Sequence, residues 1–432
     1  DYVWASFVQS KMYANGISCR DCHDMHSLEL KATGNTLCMS CHQPKYNEPE
    51  HHFHPMNTES AECINCHMTG AFYMGNDFRR DHSFRIPRPD QSIKFGTPNA
   101  CNQCHDDKSN TWAAEAVKKW YGNERQEHYS DKLLLSSQNS LNQVQRTSLD
   151  QFILDYRNPD IVRATIIENL NFSTKENYDT LIEVLNDSSA HVRYHALLKF
   201  RNLAPETRVS IALKHINDSI KLVRIGAAQL VLGIDENSIS QLDKANLDKS
   251  NEELETMLYT NADFSTGRIQ LGDYYFQKGN YSAAIENYKM AIKKDSLLTP
   301  VYSNLATIYS MVQEYEKAKE TLDSWILIEP KLGRPHYLKA LLFFEMNKSD
   351  LAVTELEKAI NLDPMDSRSM YNLATYYFQE NKNLILAERY IKDALTIEPQ
   401  NQDFNYLLAL IYQNLGQIGK AERLMNEMNS NN

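Results

Sequence analysis

The sequence predicts two architectures in one chain: a short, mostly irregular and helical N-terminal domain with too little periodic apolar sequence to form its own core, followed by an all-α solenoid. Three observations carry that reading. All eight cysteines lie between Cys19 and Cys104, in four copies of one five-residue pattern. Residues 150–235 repeat at spacings of 30 and 31, and residues 263–432 repeat with a period of 34. In both arrays the apolar positions recur at helical spacing, so each unit is a short helical element that buries its face only by stacking on the next. The expected domain limits are 1–122, 123–262 and 263–432.

The four cysteine patterns are CRDCH, CMSCH, CINCH and CNQCH. Cysteines at i and i+3 stand one helical turn apart, as two thioether bonds to a porphyrin's vinyl groups require, and the same turn delivers residue i+4 to the iron. Cys19, Cys22, Cys38, Cys41, Cys63, Cys66, Cys101 and Cys104 are therefore expected to carry four c-type haems, with His23, His42, His67 and His105 as proximal iron ligands. Zinc competes, because fifteen residues separate Cys22 from Cys38, a zinc-ribbon spacing at its short end. The other gaps do not repeat it, and a tetrathiolate site has no use for a histidine after every second cysteine. Disulfides between cysteines this close would close tiny loops and staple nothing distant.

Each iron has one more axial position, and its occupant separates electron transfer from catalysis. Nine of the fourteen histidines lie between His23 and His105; beyond the four proximal ones, His26, His51, His52, His54 and His82 are the distal candidates. His51 and His52 compete for one position. A loop histidine is ordinarily solvated, but in a segment this dense in haem most backbone lies beside a porphyrin, and neutral imidazole is a common metal ligand. Met12, Met25, Met39, Met56, Met68 and Met74 are expected to pack against porphyrin faces instead. Mostly bis-histidine haems of low potential follow.

Four haems bring eight propionate carboxylates. The segment RRDHSFRIPRPDQSIK offers Arg79, Arg80, Arg85, Arg88 and Lys94 against Asp81 and Asp90, and an extended strap stiffened by Pro87 and Pro89 would present these cations to the propionates. The alternative is a solvated charged loop. Asp81 is expected to fix the tautomer of His82. TWAAEAVKKWYG reads as an amphipathic helix closing the domain, with Trp112 and Trp120 as anchors.

YVWASFVQSKMYANGISCRDCHDMHS, HHFHP, CHM, RRDHSFRIPRPD and GTPNACNQCH together resemble the C-terminal haem region of multihaem cytochromes with doubled CxxCH motifs. That group is similar to the tetrahaem electron carriers and octahaem reductases of nitrogen metabolism, and the likeness covers about residues 1–120. It implies bis-histidine ligation, closely stacked haems and an extracytoplasmic location (periplasm or cell surface). Carried over by motif, the distal histidines are His26 of CHDMH, His54 of HHFH and His82 of RRDHSF. Such proteins usually carry further CxxCH motifs upstream, so a truncated or processed chain is expected.

Beyond Cys104 there are no cysteines, and His128, His191, His195, His215 and His336 are expected to be ordinary surface or helix residues. NPDIVRATIIENL, DSSAHVRYHALLKF and NDSIKLVRIGAAQL align at Val162-Arg163, Val192-Arg193 and Val223-Arg224, each opening on Asp or Asn. They resemble short HEAT-like repeats. A charged, weakly periodic link with one helix follows. Leu271-Gly272…Tyr275…Ala284…Tyr288…Ala291 then recurs at a period of 34, with Pro330, Pro364 and Pro399 where helix pairs end. These look like five tetratricopeptide repeats, in which small residues let helices approach. Trp325 stands where a small residue is usual and is expected to bulge that interface.

A net charge of −11 argues against a nucleic-acid partner, and no apolar run approaches the ~18 residues of a membrane span. The chain thus reads as an extracytoplasmic electron-transfer cytochrome, more a carrier than an enzyme, whose solenoid docks a redox partner or neighbouring subunit; a spacer is the alternative for the solenoid. A haem reductase of small nitrogen oxyanions would need an open iron position flanked by proton donors, which five spare histidines for four irons disfavour. A zinc-ribbon adaptor is the remaining rival.

Overall fold

The computed structural model describes residues 2–123, 128–172, 175–234, 239–380 and 383–430. The chain divides into two compact units, Asp1–Asn251 and Glu252–Asn432, at a point inside the helix Gln241–Asn261. The charged link expected there is therefore largely one continuous helix.

In the first unit, residues 2–122 form short helices and one antiparallel hairpin, Gly70–Tyr73 with Asp77–Arg80, in register Gly70 opposite Arg80. Met74 and Gly75 make its turn with φ of 50° and 78°. Among the described residues of this segment the buried apolar side chains are Phe7, Ala61, Pro89, Ala113 and Val117, while Trp4, Met25, Leu28, Phe72 and Met74 are more than half exposed. Polypeptide alone builds almost no core here, since a core residue normally touches about 6–12 others.

One expectation is corrected. The basic strap is extended only to Arg88, because Pro89 opens the helix Pro89–Phe95, where its fixed φ and missing N–H suit the first turn. The helix Asn110–Tyr121, capped by Ser109, buries Ala113 and Val117 rather than Trp112 and Trp120. Those two rings pack outside that buried face, against His105 and Phe53.

The three aligned segments become the helices Asp160–Asn169, Ala190–Lys199 and Lys221–Leu230, each packed on the next. They bury Val162, Ile166, Val192, Ala196, Val223 and Ala227. Their arginines run a ladder. Arg163, 1 % exposed, donates to the Ile153 carbonyl and pairs with Asp187. Arg193 pairs with Asp218 at 2.9 Å and reaches the Asp187 carbonyl at 2.6 Å, and Arg224 reaches the Asp218 carbonyl at 2.7 Å. Asp187 and Asp218 do not cap the helices as expected. They sit just before them, accepting the N–H groups of Ser189 and Ile220 at 2.8 Å, so each carboxylate both shapes the turn and receives an arginine.

The second unit contains the helix pairs expected from the 34-residue period, among them Ser265–Gln277 with Tyr281–Lys294 and Pro300–Met311 with Tyr315–Ile328. Ala284, Ala291, Ala318, Ala352, Ala359 and Ala394 are fully or almost fully buried where helices cross closely. Trp325 is also buried, at 5 % exposure, and donates its indole N–H to Glu329 at 2.7 Å. Among the described residues no helix is long and apolar enough to cross a membrane.

Candidate haem-attachment site

Each cysteine motif folds as the turn its spacing calls for. The N–H groups of His23, His42 and His105 bond the carbonyls of Cys19, Cys38 and Cys101, all at 2.9 Å, and CINCH is helical throughout as Cys63–His67. All eight thiols are free. Both sulfurs of each motif thus leave one turn, with the histidine immediately beyond.

Successive motifs are neighbours. Cys38 and Cys63, from the second and third motifs, share a hydrogen bond that pushes the Cys38 thiol up and holds that of Cys63 down at about 7. Burial raises Cys22, with Cys38 and Cys41 adding to it, and raises Cys66, with Cys101 and Cys104 adding to it. Asn35 fastens the second motif to the third, donating to Asn47 at 2.7 Å and the Ala61 carbonyl at 2.9 Å while accepting the Cys63 N–H at 2.9 Å. Around the fourth motif, Asn99 donates to Asn102 at 2.8 Å and Asn110 at 3.0 Å. Sequence patterns gave no sign of Asn35, because its partners lie on other segments.

Four of the histidines are held in defined tautomers. A carbonyl oxygen can only accept, so a ring nitrogen bonded to one must carry the proton. His23 Nδ1 donates to Leu28 at 2.8 Å, His67 Nδ1 to Arg85 at 2.9 Å, His82 Nδ1 to Arg80 at 2.9 Å, and His54 Nδ1 to the His52 carbonyl. Each leaves Nε2 with its lone pair outward, the orientation in which outer-shell acceptors hold metal-bound imidazoles. Burial holds His67 below the ordinary imidazole range, and burial with His67 and His52 alongside does the same to His51, favouring the neutral form that binds metal. The acceptor for His82 is not Asp81, as expected, but the Arg80 carbonyl; Asp81 is taken by the N–H and hydroxyl of Ser83, at 2.9 and 2.6 Å.

The HHFHP cluster meets two motifs. The His51 ring is 6.2 Å from that of His67 with planes 11° apart, and the His54 ring is 6.3 Å from that of His105. Phe53, between them in sequence, stacks on Trp120 at 4.5 Å, and Tyr121 donates its hydroxyl to the His51 carbonyl. Trp120 and Tyr121 thus position the cluster, and of the two only Tyr121 is left unmarked by helical periodicity. His26 is exposed, its backbone N–H on Asp24 at 3.0 Å. His52 buries an Nε2 atom with no protein partner.

The basic residues already have protein partners. Arg79 pairs with Asp77 at 2.6 Å and Arg85 with Asp81 at 3.3 Å. Arg80 caps the end of the Cys63–His67 helix, donating to the Ile64 and Met68 carbonyls at 3.2 and 3.1 Å and to Asn65 at 3.0 Å. Arg88 is shared between Asp90 at 2.7 Å and Asp131 at 2.8 Å, and Lys94 lies 4.9 Å over the Phe95 ring.

The donor set fits a porphyrin iron. Among the described residues no three His, Cys, Asp or Glu side chains converge as a bare ion would require, whereas a haem brings four nitrogens of its own and asks the protein for one or two imidazoles.

Comparison with known proteins agrees at the level of modules. The family described as a doubled CXXCH motif matches residues 11–47, and tetratricopeptide repeat families match residues 267–294 and 337–401. The chain is 27% identical over 123 residues to stress-induced-phosphoprotein 1 of Caenorhabditis elegans, covering 28% of this chain and 38% of that protein. It is 26% identical over 257 residues to protein O-mannosyl-transferase TMTC3 of Homo sapiens, covering 57% of this chain and 27% of that protein. The chain spans well under half the length of these relatives. A crystal structure of MamA matches with a TM-score of 0.34 and 20% identity, over 38% of this chain and 89% of that one. The chain therefore joins a doubled CxxCH segment, the mark of covalent haem c attachment, to a C-terminal solenoid of tetratricopeptide type, the mark of protein–protein interaction.

Proposed function

We propose that this chain is an extracytoplasmic multihaem c-type cytochrome that carries electrons, with a helical scaffold that docks its redox partner. The observation that carries the reading is the common build of the four CxxCH turns: paired sulfurs one turn apart, followed by a histidine, with Nδ1 of His23 and His67 tied back so that Nε2 is left for iron. Haem attached there supplies one-electron exchange at iron without bond-making. The chain's own residues do the rest. Cysteine sulfurs tether, His23 and His67 ligate in a fixed tautomer, and the fastening of the second motif to the third through Asn35 holds their haems within electron-transfer reach. Residues 150–235 are proposed to be HEAT-like repeats bridging to the tetratricopeptide array.

Mass spectrometry of the natively matured chain should find four added porphyrin masses, and a redox titration should place all four midpoints in the low range of bis-histidine haems. No added porphyrin would end the proposal. Carbon monoxide, nitrite and hydroxylamine should leave the absorption spectrum unchanged; a ligand-induced shift would favour a reductase. Recovery of equal partner protein by chains with and without residues 263–432 would remove the docking role.

A further inference from the structure

The loop that follows the first CxxCH motif is organised by one side chain. We propose that Asp24 is a positioning residue for the first haem site: it holds the Leu28 carbonyl against Nδ1 of His23 and so keeps the reduction potential of that haem low. This rests on the haem-binding function proposed above and assigns a residue within it.

Residues 24–29 close on themselves. The Asp24 N–H donates to the Glu29 carbonyl at 2.8 Å and the Leu28 N–H to the Asp24 carbonyl at 2.9 Å, while the Lys31 N–H ties the far end of the loop to the Cys22 carbonyl at 2.9 Å. The middle of the loop is held from inside. Asp24 Oδ1 accepts the N–H groups of His26 and Ser27, both at 3.0 Å, and the Ser27 hydroxyl at 3.3 Å, and Ser27 Oγ accepts the Glu29 N–H at 3.3 Å. Leu28 stands at φ 62° with 72% of its surface exposed, so its own packing does not keep it in the left-handed region. The hydrogen bonds around Asp24 do, and they leave the Leu28 carbonyl 2.8 Å from His23 Nδ1.

The other motifs are built differently. His67 Nδ1 also reaches a carbonyl, but that of Arg85, on a distant segment. Among the described residues His42 and His105 place no ring nitrogen on a protein acceptor; their rings lie 6.2 Å from Tyr46 and 4.9 Å from Trp112, centre to centre. Asp106 follows His105 as Asp24 follows His23, yet the chain turns there at once, with the Lys108 N–H on the His105 carbonyl at 3.2 Å. An aspartate after the motif is therefore not enough to build the loop.

The consequence is one of donor strength. An imidazole that shares its Nδ1–H with a fixed carbonyl is a more basic ligand through Nε2. A more basic axial ligand favours ferric over ferrous iron, and hydrogen bonding beyond the ligand is one of the levers a protein has on haem potential.

The test uses the full matured chain, isotopically labelled at histidine nitrogen. Porphyrin mass is counted first, so that absence of haem, which would count against the function, is told apart from a wrong role for Asp24. In the loaded protein the His23 Nδ1 proton should exchange slowly with deuterium by nuclear magnetic resonance. Asp24→Ala should speed that exchange and raise one midpoint potential of the four, with the number of low-spin haems by electron paramagnetic resonance unchanged. Asp24→Asn keeps an acceptor oxygen but not the charge, and should leave both readouts near the parent. Should Asp24→Ala fail to accumulate, Ser27→Ala should move both readouts in the same direction by less. An unmoved midpoint in Asp24→Ala overturns the proposal, as does an equal rise in Asp24→Asn, which would make charge the cause. A haem turned high spin by Asp24→Ala overturns it too, since Asp24 would then act through His26, whose N–H it also holds.

Discussion

Phe53 adopts a left-handed backbone, φ 55°, which costs a residue with a side chain roughly 1–2 kcal/mol. Its near-parallel stack on Trp120, 3° between planes, offsets that cost. Trp120→Ala should therefore lower stability around the HHFHP turn by about 1–2 kcal/mol, read as faster amide exchange over residues 49–54 in the loaded protein. Gly272 faces the opposite constraint. A Cβ there would lie 2.5 Å from the Tyr288 ring, which cannot swing aside because its hydroxyl is held by Asp273. Gly272→Ala should cost about 1–3 kcal/mol, seen as a lower denaturant midpoint with unchanged slope. Gly272 was legible in sequence, since it recurs as a small residue at the repeat's period. Phe53 was not: left-handed positions announce themselves through glycine or asparagine, and a bulky aromatic held there by a distant tryptophan leaves no local pattern.

Among elements, the arginine ladder shows how far repeat patterns reach. Val-Arg at spacings of 30 and 31 was visible, and so were the aspartates, but a linear reading made them helix caps. Their arginine partners lie 24 or 25 residues away, a pairing that stacking creates and no window of sequence contains. Asp187→Ala strands Arg163 in a site 1 % exposed, and leaving such a charge uncompensated should cost about 3–5 kcal/mol. Arg88 and Asp131 make a second tie, from the basic segment to the helix Tyr129–Ser136. Burial opposes ionisation of Asp131, yet hydrogen bonds from Arg88 and Gln91 outweigh it and hold the carboxyl below its usual range. A carboxylate depressed on folding contributes fully above its unfolded pKa of about 3.9 and loses that contribution as pH falls through the lower folded value. Acid titration below about pH 4 should thus loosen this tie, and Asp131→Asn should remove that acid-dependent loss; amide exchange of residues 129–136 against pH is the measurement.

At the scale of the molecule, residues 252–432 and residues 2–122 differ in how much interior the polypeptide supplies. In residues 252–432 the chain supplies its own: Leu271, Tyr288, Leu305, Leu322, Leu356, Leu373, Ile391 and Ile411 are buried along successive helices. Such an array is stabilised repeat by repeat through nearest-neighbour contacts, and its 34-residue period made it the most legible part of the chain. Residues 2–122 bury five apolar side chains among those described and expose many large ones, far too little to offset a backbone ordering cost of about 1–2 kcal/mol per residue. Attached porphyrins are the apolar material that the CxxCH spacing implies. Produced without haem maturation, the chain should therefore keep the helical circular dichroism and slow amide exchange of residues 252–432 while amides of residues 2–122 exchange at nearly unfolded rates. Maturation should restore protection to the four CxxCH turns together, because neighbouring motifs touch. Protection of residues 2–122 in haem-free material would mean that the polypeptide holds this segment by hydrogen bonds such as those of Asn35, Arg80 and Asn99 alone.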